Sequence, residues 1–306
     1  MADSLEVAIV VLNWNGWEDT RECLESLREI SYAPVEVYVV DNGSVDGSPQ
    51  RIARDFPEVK LLRLTDNRGF GGGMNVGIEK ALKDNHDFIL CLNNDMTVDP
   101  GLLEPLVRSA RNQGSVPYPA IYQYEAPHLL DNLGNTINLY TGLPRRVAHG
   151  SSQVPPRIEA DYSELPLLSK ELLEALGDWN EEFFAFYEDT EFGLRMREAG
   201  WELVCVSEAK VFHRRGRTAR RVRGLVSYYN IRNRLLLVRM HGTRLQYVTT
   251  LLHVLLLIIP YIAIRCLVSS RYKHSFRHTL LGLRDGLFPS RRTPRREWEP
   301  PLPRAG

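Results

Sequence analysis

The stretch DFILCLNND (residues 87–95) is the best guide to the fold, because an apolar run ends there in two amides and a carboxylate. Three other apolar runs precede it along the chain: VAIVVLN (7–13), VEVYVVDN (35–42) and VKLLRL (59–64). Helical patterns separate the four runs: WEDTRECLESLREI (17–30), SPQRIARDF (48–56) and GMNVGIEKALKD (73–84). Strands that alternate with helices at this spacing indicate βαβ units, and continuous apolar runs are typical of strands covered on both faces. The sequence therefore predicts an α/β fold with a Rossmann-like, mostly parallel sheet flanked by helices.

The remainder of the chain is less regular. Residues 112–165 are rich in Pro, Gly, Asn and Tyr, and predict an irregular segment with a short hairpin near 132–141. Residues 165–201 predict a strand, a loop and a helix from about Asp189, and residues 202–214 predict one or two further strands. We divide the chain into three parts on these patterns: 1–111, 112–240 and 241–306.

The charge is distributed unevenly along the chain. The formal net charge is zero, with 38 basic and 38 acidic residues. Residues up to Glu208 include 35 acidic and 17 basic side chains, whereas the residues that follow include 3 acidic and 21 basic ones. A basic C-terminal part of this kind predicts contact with an anionic partner, either anionic lipid, a phosphorylated lipid or nucleic acid.

The stretch LQYVTTLLHVLLLIIPYIAI (245–264) has no formal charge and, as a helix, is about as long as the hydrocarbon core of a membrane. It contains Gln246, His253 and Pro260, and Arg or Lys residues lie on both sides of it, so a single crossing would violate the positive-inside rule on one side. We expect helices that lie in or dip into the cytoplasmic leaflet, with a single crossing or an ordinary buried helix as alternatives. The apolar neighbour makes membrane lipid a better partner than nucleic acid for the basic residues between 210 and 244.

Polar residues follow each of the four predicted strands, at the sheet edge where parallel-sheet proteins bind ligands. They are Asn13 and Asn15, Asp41 and Asn42, Asp66, Asn67 and Arg68, and finally Asn93, Asn94 and Asp95. Each one singly is explained by a turn or a helix cap, but four such ends in a row favour a binding site. The stretch DNRGFGGGMNVGI (66–78) suits either phosphate binding or close backbone packing, and it matches neither the P-loop nor the dinucleotide fingerprint.

Six motifs, taken in this order, resemble glycosyltransferase family 2, and its rhamnosyltransferase-like branch in particular. They are VVLNWNG (10–16), VVDNGSVDGS (39–48), DNRGFGGGMNVGI (66–78), LCLNNDM (90–96), LGDWNEEFFAFYEDTEFGLRMREAGW (176–201) and AKVFH (209–213). The resemblance covers about residues 5 to 240. It implies the GT-A fold and the transfer of a sugar, with inversion, from a nucleotide diphosphate donor. Residues 1–111 would then bind the nucleotide sugar, residues 112–240 the acceptor, and residues 241–306 would form a basic, apolar helical extension at the membrane.

The resemblance also implies a donor site. Asp41 matches an aspartate that binds the nucleobase, and a carboxylate, which only accepts hydrogen bonds, suits the imide N–H of uracil or thymine. Asp95 matches the last aspartate of the DxD motif, which binds Mg²⁺ or Mn²⁺ on the donor diphosphate, and His213 matches a second metal ligand. Asn93 replaces the first aspartate, but many members of this branch also read NND, so we expect one carboxylate to suffice. A solvated loop histidine is the alternative for His213. The other implied donor-binding residues are Asn13, Asn15, Asn67, Gly69, Phe70, Asn75, Asn93 and Asn94.

The motif FYEDTEFGLR (186–195) matches the part of the family that carries the catalytic base. Asp189 is implied to remove the proton of the acceptor hydroxyl, and Glu188 precedes it in a pair of carboxylates that raise one another's pKa. As an alternative, Asp189 caps the helix that follows. Aromatic residues nearby either pack the core or stack on a sugar: Trp179, Phe183, Phe184, Phe186 and Tyr187.

These features predict an inverting, metal-dependent glycosyltransferase at the cytoplasmic face of the membrane, with a UDP- or dTDP-sugar donor and a glycan or lipid-linked acceptor. Two alternatives are a nucleotidyltransferase and a non-catalytic, membrane-attached nucleotide-sugar binder. Nucleotidyltransferases usually carry a basic glycine-rich loop near the N-terminus, and VVLNWNGW (10–17) has no Lys or Arg. We expect no nucleic-acid partner, and the oligomeric state stays open.

Overall fold

In the computed structural model, the four apolar runs form neighbouring strands of one sheet, as the sequence predicts. The strands are β1 (Val7–Asn13), β2 (Val35–Asp41), β3 (Lys60–Arg63) and β4 (Phe88–Asn93). β1 pairs in parallel with both β2 and β4, and β2 pairs in parallel with β3. A short strand, Leu167–Ser169, adds to β4 in the antiparallel direction and completes five strands. The sheet is therefore mostly parallel. The structure describes residues 5–155, 158–214, 223–269 and 271–288.

Helices and loops cover both faces of this sheet, which explains why its strands are apolar throughout. The flanking helices are α1 (Trp17–Leu27), α2 (Ser48–Asp55), α3 (Gly69–Lys83) and α4 (Leu103–Ala110). Along β1, Val7, Ile9 and Val11 are buried in one apolar cluster. The alternating residues Ala8 and Val10 are buried in another cluster, which contains residues of α3. Each face of the strand thus has its own core.

The glycine-rich stretch packs a helix closely on the sheet. α3 begins at Gly69, four residues before the predicted start at 73, so most of these glycines are helical. A Cβ atom on Gly77 would lie 2.3 Å from Cγ1 of Val10, and one on Gly73 would lie 2.5 Å from Cδ1 of Leu12. Both positions exclude any side chain, so close packing explains these glycines without a bound phosphate.

A second sheet takes two of its strands from the segment 112–165, for which the sequence predicts irregular structure, and one from residues 202–214, where it predicts strands. Its strands are β5 (Met96–Val98), β6 (Ser115–Gln123), β7 (Leu130–Asn132) and β11 (Glu202–His213), in the order β5-β11-β6-β7. β11 is parallel to β6 and antiparallel to β5. A separate hairpin, formed by β8 (Asn135–Asn138) and β9 (Leu143–Arg146), lies close to the hairpin predicted near 132–141.

The segment after the fifth strand of the first sheet, β10 (Leu167–Ser169), contains a helix that the sequence analysis assigns to a loop. This helix, α5 (Lys170–Leu176), begins where the hydroxyl of Ser169 accepts a hydrogen bond from the Leu172 amide at 3.1 Å. A 3₁₀ turn follows at Glu181–Phe183. The helix predicted from about Asp189 is α6 (Glu188–Glu198), which begins one residue earlier.

The chain divides into two compact units as far as the structure describes it. One comprises Met1–Ile137 and Pro144–Arg215, and the other comprises Asn138–Leu143 and Gly216–Gly306. The second unit contains α7 (Arg223–His241), α8 (Arg244–His253), a π-helical segment (Val254–Ile258), α9 (Ile259–Val268) and α10 (Arg271–Leu287). The predicted boundary at 240 lies at the end of α7, whereas the boundary between the two units, after Arg215, precedes α7. The three-part division stays a prediction.

α8, the π-helical segment and α9 form one helix of 25 residues, Arg244–Val268. Among the described residues it is the helix that is long and apolar enough to cross a membrane. Only 6% of its most apolar 18-residue stretch is buried. Val254 packs with Ile231 and Leu235 of α7, whereas Leu256 and Ile264 are more than half exposed. The alternative of an ordinary buried helix is therefore wrong.

Candidate active site

The carboxyl ends of β1 and β2 are joined by a buried polar pair. Asn13 and Asp41 are partners in the strand register, and Nδ2 of Asn13 donates to Oδ1 of Asp41 at 2.7 Å. The side-chain amide of Asn13 also donates to the Ser48 hydroxyl at 2.8 Å and accepts from the Thr20 hydroxyl at 2.9 Å. Only 2% of Asp41 is exposed. Asn13 thus holds the proposed nucleobase-binding carboxylate in a defined orientation.

Asn15 ties the loop after β1 to the loop after β2. Its backbone has a positive φ of 51°, a conformation that asparagine tolerates better than most residues. Its side-chain oxygen accepts from the Val45 amide at 2.8 Å, and its own amide donates to the Ser44 hydroxyl at 2.9 Å. The two loops that follow the central strands are therefore held together at this edge of the sheet.

Asn42 organises the turn before α3. Its Nδ2 donates to the Asn67 side chain at 3.0 Å and to the Gly69 carbonyl at 2.9 Å, and its oxygen accepts from the Arg68 amide at 2.9 Å. Asn67 in turn accepts from the Gly69 amide at 2.8 Å. Two adjacent strand ends, those of β2 and β3, are connected in this way, so Asn67 has a structural role beside its predicted role in donor binding.

The start of α3 contacts the segment before α6. The Phe70 amide donates to the Phe184 carbonyl at 2.6 Å, and a Cβ atom on Gly69 would lie 2.3 Å from that same oxygen. Asn75 exchanges two hydrogen bonds with the backbone of Trp179, at 2.9 and 3.0 Å. The predicted donor side and the predicted acceptor side of the site are therefore in direct contact. The amide of Asn75 binds the Trp179 backbone, and its part in donor binding stays a prediction.

The aromatic segment before α6 has an unusual backbone. Phe184, Phe186 and Tyr187 have φ angles of 54°, 67° and 72°, a region in which each such residue costs roughly 1–3 kcal/mol. Trp179, Phe183 and Tyr187 are buried, so these three of the five aromatic residues belong to the core. The Phe186 side chain is 36% exposed. Strain of this kind immediately before two carboxylates is characteristic of functional sites.

The amides and the carboxylate of the opening motif lie between β4 and β5. Oδ1 of Asn93 is buried without a hydrogen-bond partner among the described residues, and Nδ2 of Asn94 donates to the Thr20 hydroxyl at 2.9 Å. Oδ2 of Asp95 lies 3.3 Å from Nε2 of His213. The two residues meet because β11 pairs with β5 and places His213 opposite Met96. The tertiary structure thus joins the two predicted metal ligands, which are 118 residues apart.

His213 lies between two aspartates. Its Nδ1 is 3.2 Å from Oδ2 of Asp131, on the side of the ring away from Asp95, and 12% of its side chain is exposed. Burial by itself would lower the pKa of His213, but the hydrogen bonds to Asp131 and Asp95 raise that pKa to about 10. The alternative of a solvated loop histidine is therefore wrong. Asp131 was missed in the sequence, where the signal was a carboxylate within the apolar run LLDNL (129–133).

The ED pair at the start of α6 contains two carboxylates with raised pKa values. Burial, followed by the charge of Glu164, raises the pKa of Asp189 to about 7. Burial and the charge of Asp189 raise the pKa of Glu188 well above its ordinary value, and Oε2 of Glu188 has no hydrogen-bond partner among the described residues. The N-cap of α6 is Tyr187, while Asp189 is its second residue and accepts from the Thr190 amide at 2.7 Å.

Glu164 connects the two groups of charged residues. Burial raises the pKa of its carboxyl group, which the charges of Asp95 and Asp131 raise further and that of His213 lowers. Its own charge in turn raises the pKa of Asp189. Glu164 accepts from Nδ2 of Asn132, the residue after Asp131, at 3.3 Å, and its charge is felt by Asp189 as the charges of Asp95 and His213 are felt by Glu164. Glu164 was missed because nothing in its local sequence distinguishes it from a surface residue.

The side chains at this position are suited to a divalent cation. Asp95 and His213 direct one carboxylate oxygen and one imidazole nitrogen toward each other, a pair of ligands that Mn²⁺ accepts readily. Within the part of the chain that the structure describes, no three His, Cys, Asp or Glu side chains are arranged to hold a metal. A cation here would therefore take its other ligands from the donor diphosphate and water.

Comparison with known families assigns the protein. The model of the family described as "Glycosyl transferase family 2" matches residues 8–162, about half of the chain. The chain belongs to glycosyltransferase family 2. It is thus an enzyme that transfers a sugar from a nucleotide sugar, as the sequence motifs predict, and the nucleotidyltransferase alternative is wrong.

Individual relatives agree with this assignment. The N-acetylglucosaminyl-diphospho-decaprenol L-rhamnosyltransferase of Mycobacterium tuberculosis is 27% identical over 254 residues, which cover 72% of this chain and 79% of the relative. The dTDP-rhamnosyl transferase RfbF of Shigella flexneri is 25% identical and covers 72% and 78%, respectively. The mannosyltransferase PcManGT of Pyrobaculum calidifontis, solved with GDP-Man and Mn²⁺, has a TM-score of 0.51 over 92% of this chain and 87% of that one, at 17% identity. The GT-A fold that the resemblance implies is confirmed.

Proposed function

We propose that this glycosyltransferase moves a rhamnose-like or other hexose, with inversion, from a UDP- or dTDP-sugar to a glycan or lipid-linked acceptor. The names of two relatives support a deoxyhexose donor and, for one of them, an acceptor on a lipid diphosphate. Asp41, buried and oriented by Asn13, suits a nucleobase with an imide N–H. Asn15, Asn67, Gly69 and Phe70 would surround the donor from the adjoining loops.

The observation that carries this proposal is that the buried carboxylate of Glu164 interacts electrostatically both with Asp189 and with the Asp95–His213 pair. In this role Asp189 takes the proton from the acceptor hydroxyl while that oxygen attacks the anomeric carbon. A pKa of about 7 suits such a base, since it accepts a proton readily and is still deprotonated in much of the protein near neutral pH. Burial and the charge of Glu164 maintain the raised pKa of Asp189, and Glu188 would be held protonated beside it by burial and by the charge of Asp189.

Asp95 and His213 would hold Mg²⁺ or Mn²⁺, with Asn93 and Asn94 beside the donor phosphates. When bound, the metal acts as a Lewis acid that neutralises charge on the diphosphate leaving group. The protein's own contribution is to hold one carboxylate oxygen and one imidazole nitrogen 3.3 Å apart at the end of β11, before any donor arrives.

A screen of nucleotide sugars by thermal unfolding tests the proposed donor. A ligand at about 100 times its Kd stabilises the folded state by about 2.7 kcal/mol. We expect a UDP- or dTDP-sugar to raise the unfolding temperature by a few degrees with Mn²⁺ present, and to do so much less with EDTA. Stabilisation by GDP-sugars alone, or equal stabilisation with and without the metal, would contradict the proposal.

The rate of transfer is expected to rise with pH around neutrality. Asp189 acts as a base only when deprotonated, so kcat/KM increases as the pH rises through about 7 and levels off above it. The measurement is kcat/KM from pH 5.5 to 8.5 with saturating metal. A profile that is flat below pH 7, with Asp189 intact, would show that this carboxylate is not the base.

We also propose that the helix Arg244–Val268 attaches the enzyme to the cytoplasmic face of the membrane as a peripheral or monotopic protein. Apolar side chains at helical spacing are exposed along it, among them Leu245 (63%), Leu256 (65%) and Leu267 (88%). No acidic residue lies between Glu208 and Asp285, so the surrounding charge suits anionic headgroups. The basic stretch between 210 and 244 lies partly outside the described residues.

Sedimentation with vesicles tests this attachment. We expect the protein to bind vesicles that contain phosphatidylglycerol, and the double substitution Leu252→Gln and Leu256→Gln to weaken that binding at least tenfold, because it removes two exposed apolar side chains from the interface. Val45→Gln is the matched control, since Val45 is 69% exposed in the other unit. Equal binding by all three proteins would exclude this helix as the membrane contact.

A further inference from the structure

Asp131 is a buried carboxylate to which neither the family resemblance nor the proposed chemistry assigns a role. Its side chain is 1% exposed, and one oxygen, Oδ2, lies 3.2 Å from Nδ1 of His213. The other oxygen lies 3.4 Å from Nδ1 of His149, a residue whose side chain is half exposed. Burial of a carboxylate is costly unless partners compensate it, so this position needs an explanation.

The strand that carries Asp131 is distorted at this residue. β7 pairs with β6 in the antiparallel direction, with Tyr122 opposite Leu130 and Ile121 opposite Asn132. One residue on β6 is therefore matched by two on β7, and the extra residue is Asp131. Such a β-bulge redirects a side chain, and bulges are frequent next to active sites.

The bulge lets Asp131 reach across the sheet. The strand order is β5-β11-β6-β7, so β6 separates Asp131 on β7 from His213 on β11. His213 also faces β5, on whose side Asp95 lies. The imidazole is thus held from both sides, by Asp95 at Nε2 and by Asp131 at Nδ1.

An imidazole binds a metal through one nitrogen only when that nitrogen has a lone pair. In the neutral ring, the proton must then be on the other nitrogen, and a carboxylate that accepts a hydrogen bond from it fixes both the tautomer and the direction of the ring. At 3.2 and 3.3 Å from carboxylate oxygens, both ring nitrogens donate in the metal-free protein, Nδ1 to Asp131 and Nε2 to Asp95. A cation beside Asp95 would take the place of the proton on Nε2, while Asp131 would keep accepting from Nδ1–H. Because the two ring nitrogens point in opposite directions, Asp131 cannot bind the same cation as Nε2.

We propose that Asp131 is a positioning residue, which holds His213 with Nε2 directed at the metal position beside Asp95. This inference rests on the proposed metal site and adds to it the carboxylate that prepares the site before the metal binds. Partners of this kind typically change metal affinity by about 10- to 100-fold. The sugar donor takes no part in the inference, so it can be tested with the metal alone.

The test measures Mn²⁺ binding to the purified full-length protein by electron paramagnetic resonance, without a donor. The free-ion signal yields the Kd, and pulsed spectra detect ¹⁴N coupling from a coordinated imidazole. We expect Asp131→Asn to raise the Kd about 10- to 100-fold and to weaken the ¹⁴N coupling. His213→Ala should remove that coupling. In the His213→Ala background, Asp131→Asn should change the Kd by no more than a factor of about two.

Three outcomes would count against the inference, each in a distinct way. Equal effects of Asp131→Asn with and without His213 would show that Asp131 acts independently of the histidine. A normal Kd and ¹⁴N coupling in Asp131→Asn would show that His213 needs no positioning. If the wild type binds no Mn²⁺ without a donor, the site is not prepared before the donor arrives and the inference fails, whereas the metal role of Asp95 in turnover is tested separately with the donor present.

Two further variants guard against a merely structural effect. Asp99→Asn is the matched control, because this aspartate accepts from the Gly101 amide in a turn of the same unit, and we expect it to bind Mn²⁺ as the wild type does. Asp131→Glu retains a carboxylate and should recover part of the affinity lost in Asp131→Asn. If Asp131→Asn does not fold, Asp131→Ser takes its place in the comparison with and without His213. A loss of Mn²⁺ affinity in Asp131→Glu as large as that in Asp131→Asn would overturn the inference.

Discussion

Asp189→Asn is expected to lower the rate of sugar transfer by roughly 10²- to 10⁴-fold, the usual contribution of a positioned general base. Asparagine has the size of aspartate but does not take up a proton, so the acceptor hydroxyl would have to attack without losing its proton to the enzyme. Donor binding should persist, because Asp189 lies beside Glu164 and Thr190 and not among the residues around Asn13 and Asp41.

The measurement is kcat together with donor affinity, for the donor that the thermal screen identifies. Glu198→Gln is the matched control, since it removes an exposed carboxylate near the other end of α6 and should leave kcat unchanged. The variant Asp189→Asn should also lose the dependence of the rate on pH below 7. Wild-type turnover by Asp189→Asn would exclude this residue as the base.

Asp95→Ala is expected to abolish the part of the activity that depends on a divalent metal. Lewis-acid stabilisation of a leaving group is worth several kcal/mol, and each 1.36 kcal/mol corresponds to a factor of ten, so we expect a loss of at least about 10²-fold. Asp95 supplies the one carboxylate oxygen that lies beside Nε2 of His213. His213→Ala should therefore reduce activity in the same direction but less severely, because the metal would retain the carboxylate and the donor phosphates.

The rate is measured as a function of Mn²⁺ concentration at a fixed, saturating donor concentration. Asp99→Ala serves as the control for a lost aspartate four residues along the chain, and it should respond to Mn²⁺ as the wild type does. Full Mn²⁺-stimulated turnover by Asp95→Ala would mean that the metal binds elsewhere or takes no part.

Local sequence determined the first sheet, because the physical signal for it is local. Each strand from β1 to β4 is an apolar run bounded by polar residues, and the helices between them have the spacing of βαβ units. The polar ends of these strands were predictable for the same reason, since parallel strands bring their carboxyl ends to one edge. The order of the motifs was enough to identify the family whose motifs Asp41, Asp95, Asp189 and His213 match.

Local sequence was less informative where contacts are distant. α5 begins at Lys170 after Ser169, an ordinary N-cap residue that was not recognised in the sequence. α3 begins within the glycines because the packing of Gly73 and Gly77 on β1 overrides their low helix propensity. The second sheet was mostly missed, since its strands come from four separate segments and its register is irregular at Asp131.

The sequence by itself determined the fold class and the family, and it predicted the acids and amides of the candidate site apart from Asp131 and Glu164. Only the tertiary structure decided which of them meet: β11 brings His213 to Asp95, a bulge on β7 brings Asp131 to the other side of the same ring, and Glu164 comes to lie near both the histidine and Asp189. The physical reason is that hydrophobic periodicity records whether a residue faces the core. Hydrophobic periodicity does not predict which charged residue from a distant part of the chain packs beside that residue. Those neighbouring charges determine the pKa values and the metal-binding geometry.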